Sequence, residues 1–168
     1  MNKIHLGQER LVKAISHSYS FMGSILLLRL YLGVFYIQTG MVKVFKNNFA
    51  LDWTPKMVKQ VEESMPDVYP WYGVFLDNIV LQYPDIFALL VAWGELLLGI
   101  SLMLGFLNRL STSLGAFMCL NFILLSGRHF WLPHFDTTLM LSLIVLSCAN
   151  AGRIIGIDQW LIKSKNLS

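Results

Sequence analysis

The sequence predicts an all-α integral membrane protein: a four-helix bundle, N-in and C-in, with a long outer loop that carries short helices. Three observations predict it. The 168 residues are 55% hydrophobic and only 14% charged, with a mean hydropathy of +0.57, whereas a soluble domain carries about 25% charged residues. Four apolar windows approach the roughly 20 residues that a helix needs to cross the hydrocarbon core. Lys and Arg are shared unequally among the segments joining those windows, which sets orientation.

The windows run over about 22–45, 85–107, 110–126 and 133–150, within one domain covering 1–168. There is no internal repeat and no low-complexity segment. With the N-terminus inside, the inner segments hold seven basic residues: Lys3, Arg10, Lys13, Arg109, Arg153, Lys163 and Lys165. The outer segments hold four, Lys46, Lys56, Lys59 and Arg128, offset by acidic groups such as Asp52, Glu62, Glu63 and Asp67. The opposite orientation would leave the basic ends outside, so the N-in arrangement in a prokaryotic-type cell membrane is expected.

The N-terminal stretch, with Ile4, Leu11 and Ile15 around Arg10 and Lys13, suits a short helix lying on the inner membrane surface. No small-residue cleavage site precedes the first window, so that span is expected to target the membrane itself. The outer loop, about 46–84, is long for a connection. Thr54-Pro55 reads as an N-cap followed by proline at the first helical position, before Lys56 to Ser64. Pro70 opens a second short helix, Trp71 to Leu81. Trp53, Tyr69, Trp71, Tyr72 and Tyr83 suit the headgroup zone. The loop therefore predicts a lid of two short helices over the outer mouth.

Four ionisable residues remain within the windows: Arg29, Lys43, Glu95 and Asp136. An unpaired charge at mid-membrane costs roughly 2.5–3.5 kcal/mol on insertion scales, so these groups should face one another or a polar cavity. Arg29, Gly33, Tyr36, Gly40 and Lys43 share one helix face, and Ala88, Ala92, Glu95 and Gly99 form a matching small-residue face. Counting at 1.5 Å per residue puts Glu95 roughly 15 Å deep and Arg29 roughly 10 Å deep, which predicts an Arg29–Glu95 pair. Lys43 and Asp136 fall together near the outer surface, beside His134. Two salt bridges that only join helices would satisfy the same spacing, but small-residue packing does that at lower cost. An outward-opening polar pocket is the preferred reading.

Around the last window stand Arg128, His129, Trp131, His134 and Asp136. An apolar ring with a hydrogen-bond acceptor, such as a quinone, suits this place, as does a small anion attracted by Arg128 and Lys43. His129 and Trp131 read as interfacial anchors. The histidine spacing supports no haem or zinc site. Cys119 and Cys148 form no C-x-x-C pair and read as two buried thiols rather than a disulfide. No metal or nucleotide cofactor is expected.

Three segments carry a family resemblance. Arg29-Leu-Tyr-Leu-Gly33 with Thr39-Gly40-Met-Val-Lys43 resembles the first-helix signature of the DoxX/DoxD superfamily of small membrane proteins. Gly94-Glu95-Leu-Leu-Leu-Gly99, continuing to Gly105 and Arg109, is similar to the second-helix signature. Ala151-Gly152-Arg153-Ile-Ile-Gly156-Ile-Asp158 and the long outer loop resemble the DoxD branch. The resemblance spans Leu26 to Leu161. It implies a membrane subunit of a quinone-linked oxidoreductase, with thiosulfate:quinone oxidoreductase as the model. There thiosulfate is oxidised to tetrathionate while quinone accepts the electrons, and a DoxA-like subunit is the partner.

On that reading Glu95 and Asp136 are the catalytic proton-handling groups, and Arg29, Tyr36, Lys43, Arg128 and His134 bind substrate or quinone. Two other functions compete. One is a non-catalytic membrane partner of another redox enzyme, consistent with the lack of a nucleophile triad, metal set or nucleotide loop. The other is a binding or transport protein for a lipid-like molecule. A homo-oligomer is a further partner expectation; nucleic acid is not expected.

Overall fold

A computed structural model of the chain describes residues 2–45, 49–127, 134–158, 160 and 163. The all-α part of the expectation is observed: among the described residues there are six α-helices and no strand. They are α1 (Asn2–Phe45), α2 (Phe49–Ser64), α3 (Pro70–Phe75), α4 (Pro84–Leu104), α5 (Asn108–Leu125) and α6 (Phe135–Cys148). A π-helical turn, Leu76–Val80, extends α3, and a 3₁₀ turn, Ala151–Arg153, follows α6. Two segments are long and apolar enough to cross a membrane, Phe21–Phe45 and Pro84–Leu104. Large side chains such as Leu27, Leu90, Phe117 and Leu141 lie exposed on the outward faces of α1, α4, α5 and α6, a surface suited to lipid rather than water.

Two helix boundaries differ from expectation. The N-terminal stretch is not a separate surface helix; it continues without a break into the first span as a 44-residue helix. No proline interrupts it, and no pair of glycines marks an end. The first loop helix starts at Phe49, so Pro55 sits inside α2 rather than at its first position. Proline there removes one backbone hydrogen bond, a loss the helix tolerates because Met57 and Val61 anchor it in a core. Pro70 does open α3 as expected, at the first turn where its missing N–H is harmless.

α1 and α4 run antiparallel and pack along the expected small-residue faces. A Cβ on Gly40 would lie 2.5 Å from the Leu96 backbone nitrogen, and one on Gly99 2.5 Å from that of Ile37. These close approaches set the register. Tyr36 and Leu32 then pack with Leu98, Leu102, Cys119 and Leu143 in a core shared by α1, α4, α5 and α6.

A second core holds the loop helices in place. Met57 and Val61 from α2, Tyr72 from α3 and Leu76 and Val80 from the π turn meet Ala88 and Leu125 at one end of the helices. This end is the lid end. Trp71 and Tyr83 are exposed there, but Tyr72 is buried, and its hydroxyl lies 3.2 Å from Asn121 Oδ1. It belongs to the lid's core and not to a headgroup belt. Trp131, His129 and Pro133 lie outside the described residues, as does the side chain of Trp53.

Candidate functional site

A cavity of about 500 Å³ opens beneath the lid, within the range of small-molecule sites. α1 contributes Phe35, Tyr36, Thr39 and Lys43, and α4 contributes Glu95. Gln60 and Ser64 come from α2, Cys119, Phe122 and Leu125 from α5, and His134, Phe135 and Asp136 from the start of α6. Chain segments far apart in sequence thus place two carboxylates, a lysine, a histidine and three phenylalanine rings around one space.

Lys43 Nζ donates to Glu95 Oε1 at 2.5 Å. Both side chains are largely buried, with 19% and 7% of their surface exposed. Glu95 Oε2 is buried and has no hydrogen-bond partner among the described residues. Tyr36 Oη and Cys119 Sγ lie 3.3 Å apart, either able to donate. At the start of α6, His134 Nδ1 is 3.3 Å from Asp136 Oδ2 and 3.4 Å from the Asp136 backbone nitrogen. Phe35 packs edge-on against both Tyr36 and Phe135, joining α1 to the start of α6.

Of the residues singled out from the sequence, Tyr36, Lys43, Glu95, His134 and Asp136 line this cavity. Arg128 lies outside the described residues. Arg29 stands elsewhere, and the expected Arg29–Glu95 pair is replaced by Lys43–Glu95. The reason is register: counting from helix ends ignored how the glycine contacts slide α4 against α1. That slide brings Glu95 level with the Lys43 end of α1.

Arg29 is 1% exposed and organises the opposite, tail end. Its Nη1 donates to the carbonyls of Ala151 at 2.6 Å and Ile154 at 2.9 Å, and its Nη2 to Ile155 at 2.9 Å. The segment it holds folds back on the α4–α5 turn. Asp158 accepts from the Leu107 and Asn108 backbone nitrogens at 2.8 and 3.0 Å, capping α5. Gly105 ends α4 at φ +62°, and a Cβ there would meet both Gly156 and the Arg29 guanidinium. Leu107 and Ile155, at φ 47° and 51°, hold conformations unfavourable for side chains of their kind. The hydrogen bonds that Asp158 accepts and Arg29 donates hold them there.

Sequence reasoning missed Cys119, Thr39 and Ser126 as cavity residues. Cys119 was expected to be a buried thiol and is one, whereas Cys148 is exposed; both are free. A cysteine facing a tyrosine on another helix leaves no local signal. Among the described residues no group of three or more metal-ligating side chains occurs.

The DoxX family model matches residues 24–128 of this chain, more than half its length. The matched stretch takes in Arg29, Lys43 and Glu95 but ends before α6. No curated protein and no solved structure matches.

Proposed function

The chain belongs to the DoxX family, and on that premise we propose that it is a membrane subunit of a quinone-linked oxidoreductase whose cavity beneath the lid receives the quinone headgroup. The observation that carries this reading is the pairing of three phenylalanine rings with a buried Lys43–Glu95 pair and His134–Asp136 in one cavity of about 500 Å³. The rings suit a flat apolar headgroup. Quinone reduction takes up protons with electrons, and Glu95 and Asp136, the two carboxylates lining the cavity, would hand them on. Lys43 would steady negative charge gained by the headgroup.

Four spans, α1 from Phe21 onward with α4, α5 and α6, would place the lid end outside and both chain ends in the cytoplasm. The distribution of Lys and Arg supports that orientation. Thiosulfate is the proposed electron donor on the strength of the DoxD-like segments around Gly152 and Asp158. A DoxA-like or other membrane redox subunit would complete the enzyme. The phenylalanine lining also suits a lipid-like ligand without turnover.

The test is thiosulfate-dependent reduction of a soluble quinone by membranes carrying the chain and its partner subunits, combined with photo-crosslinking by an azido-quinone. Turnover together with labelling of α1, α4 or α6 near the cavity is expected. Labelling without turnover would favour a binding protein. No labelling of folded protein would overturn the reading.

A further inference from the structure

The three serine and threonine hydroxyls that line the cavity are turned alike, alongside the donors Lys43, Gln60 and His134. Thr39 Oγ1 donates to the Tyr36 carbonyl at 3.2 Å, Ser64 Oγ to the Gln60 carbonyl at 2.8 Å, and Ser126 Oγ to the Ile123 carbonyl at 2.7 Å. A hydroxyl has one proton to give and two lone pairs. Each of these three therefore turns its proton to its own helix and leaves only lone pairs for a ligand. Tyr36 and Cys119 engage each other. Glu95, 5% exposed, adds a further acceptor, the buried Oε2 of the carboxyl group that Lys43 contacts through Oε1, without a partner among the described residues.

We propose that this cavity selects ligands that donate hydrogen bonds, and hence takes a hydroquinone in preference to the corresponding quinone; this rests on the reading of the cavity as a quinone pocket. A hydroquinone that turns the Glu95 carboxylate toward the cavity can donate its O–H to Oε2 while its oxygen accepts from Lys43. A quinone carbonyl can accept from Lys43 but leaves Oε2 unsatisfied and sets lone pair against lone pair. A hydrogen bond to a charged group contributes about 1.5–3 kcal/mol, so the preference should be at least about tenfold. Tighter binding of the reduced form raises the potential of the bound couple, by about 30 mV for each tenfold in a two-electron couple. The site would thereby make its bound quinone a better electron acceptor than the same quinone in the membrane.

The test is anaerobic equilibrium dialysis of the detergent-purified chain against three ligands of one skeleton, with empty micelles as the blank. They are tetramethylbenzoquinone, tetramethylhydroquinone and the hydroquinone's dimethyl ether, which accepts but cannot donate. The hydroquinone is expected to bind at least tenfold tighter than the other two. In Glu95→Gln, whose amide can turn a donor toward the ligand, the three affinities should fall within about threefold of one another. Equal binding of all three by the unaltered chain would overturn donor selection while leaving the quinone pocket standing. Failure of all three to bind would remove the pocket reading and this inference with it. A preference that survives intact in folded Glu95→Gln would overturn the assignment to Glu95. Should that variant not fold, the comparison in the unaltered chain decides.

Discussion

Lys43 and Glu95 meet at 2.5 Å between α1 and α4, next to the point at which Gly40 lies against the Leu96 backbone. The ion pair and the glycine contact are parts of one arrangement. Without a side chain on Gly40 the two backbones approach, and the long lysine can then reach across to a carboxylate that is itself nearly buried.

Breaking that pair from one side should be costly. Lys43→Met leaves the Glu95 carboxylate buried with its lysine partner removed, a change expected to cost about 3–5 kcal/mol. The double variant Lys43→Met with Glu95→Leu removes both charges and should recover most of the loss while remaining inactive in quinone reduction. Thermal unfolding of the detergent-purified variants measures the first effect, and the turnover assay the second. A single variant as stable as the parent would show that the pair is solvated.

The glycine contacts make a separate prediction about helix register. Gly40→Ala and Gly99→Ala each drive a methyl group into the facing backbone, so each should destabilise by about 1–3 kcal/mol. Gly23→Ala is the matched control: its Cβ would meet nothing within 4 Å. There the better helix propensity of alanine should leave stability unchanged or raised by up to about 1 kcal/mol. Equal effects at all three positions would mean that helix propensity, and not close approach, governs them.

At the tail end, Arg29→Met takes the donor from three carbonyls, and Asp158→Ala takes the cap from two backbone nitrogens. Loss of a cap costs about 1 kcal/mol, and loss of the guanidinium should cost more. Both variants should accelerate hydrogen exchange at residues 151–158 while leaving hydroquinone affinity within about twofold, because neither residue lines the cavity. A large fall in affinity with Arg29→Met would return Arg29 to the binding site where the sequence placed it.

Lid docking should weaken in strong alkali. Burial pushes the Tyr72 phenol up to about 12 from its ordinary value near 10. Between those two values the unfolded lid has lost the proton that the folded lid keeps, so unfolding releases a proton and stability falls as pH rises. Two units correspond to roughly 3 kcal/mol at most. Hydrogen exchange in α3 followed from pH 8 to 12 should show the loss beginning near pH 10. Tyr72→Phe should lack that alkaline phase, although it loses about 1 kcal/mol at neutral pH with the hydrogen bonds to Asn121.

Much of this was legible from residue spacing. The face shared by Gly33, Tyr36, Gly40 and Lys43 follows from helical periodicity alone, and so does its small-residue match around Ala92 and Gly99. Pro70 marked the start of α3 because proline costs nothing in a first helical turn. Thr54-Pro55 misled for the complementary reason: the same local signal was overruled by Met57 and Val61, whose burial in the lid core holds a helix that begins earlier.

By itself the sequence determined which side chains must avoid lipid and which helix faces must meet, since those follow from periodicity and the cost of burying charge. The tertiary structure decided which charges pair. Register between antiparallel helices is set by where backbones can touch, a property of two facing surfaces that neither helix encodes alone. That contact gave Glu95 to Lys43, sent Arg29 to the carbonyls of the tail, and brought Cys119 and Thr39 into the cavity that no single helix could have announced.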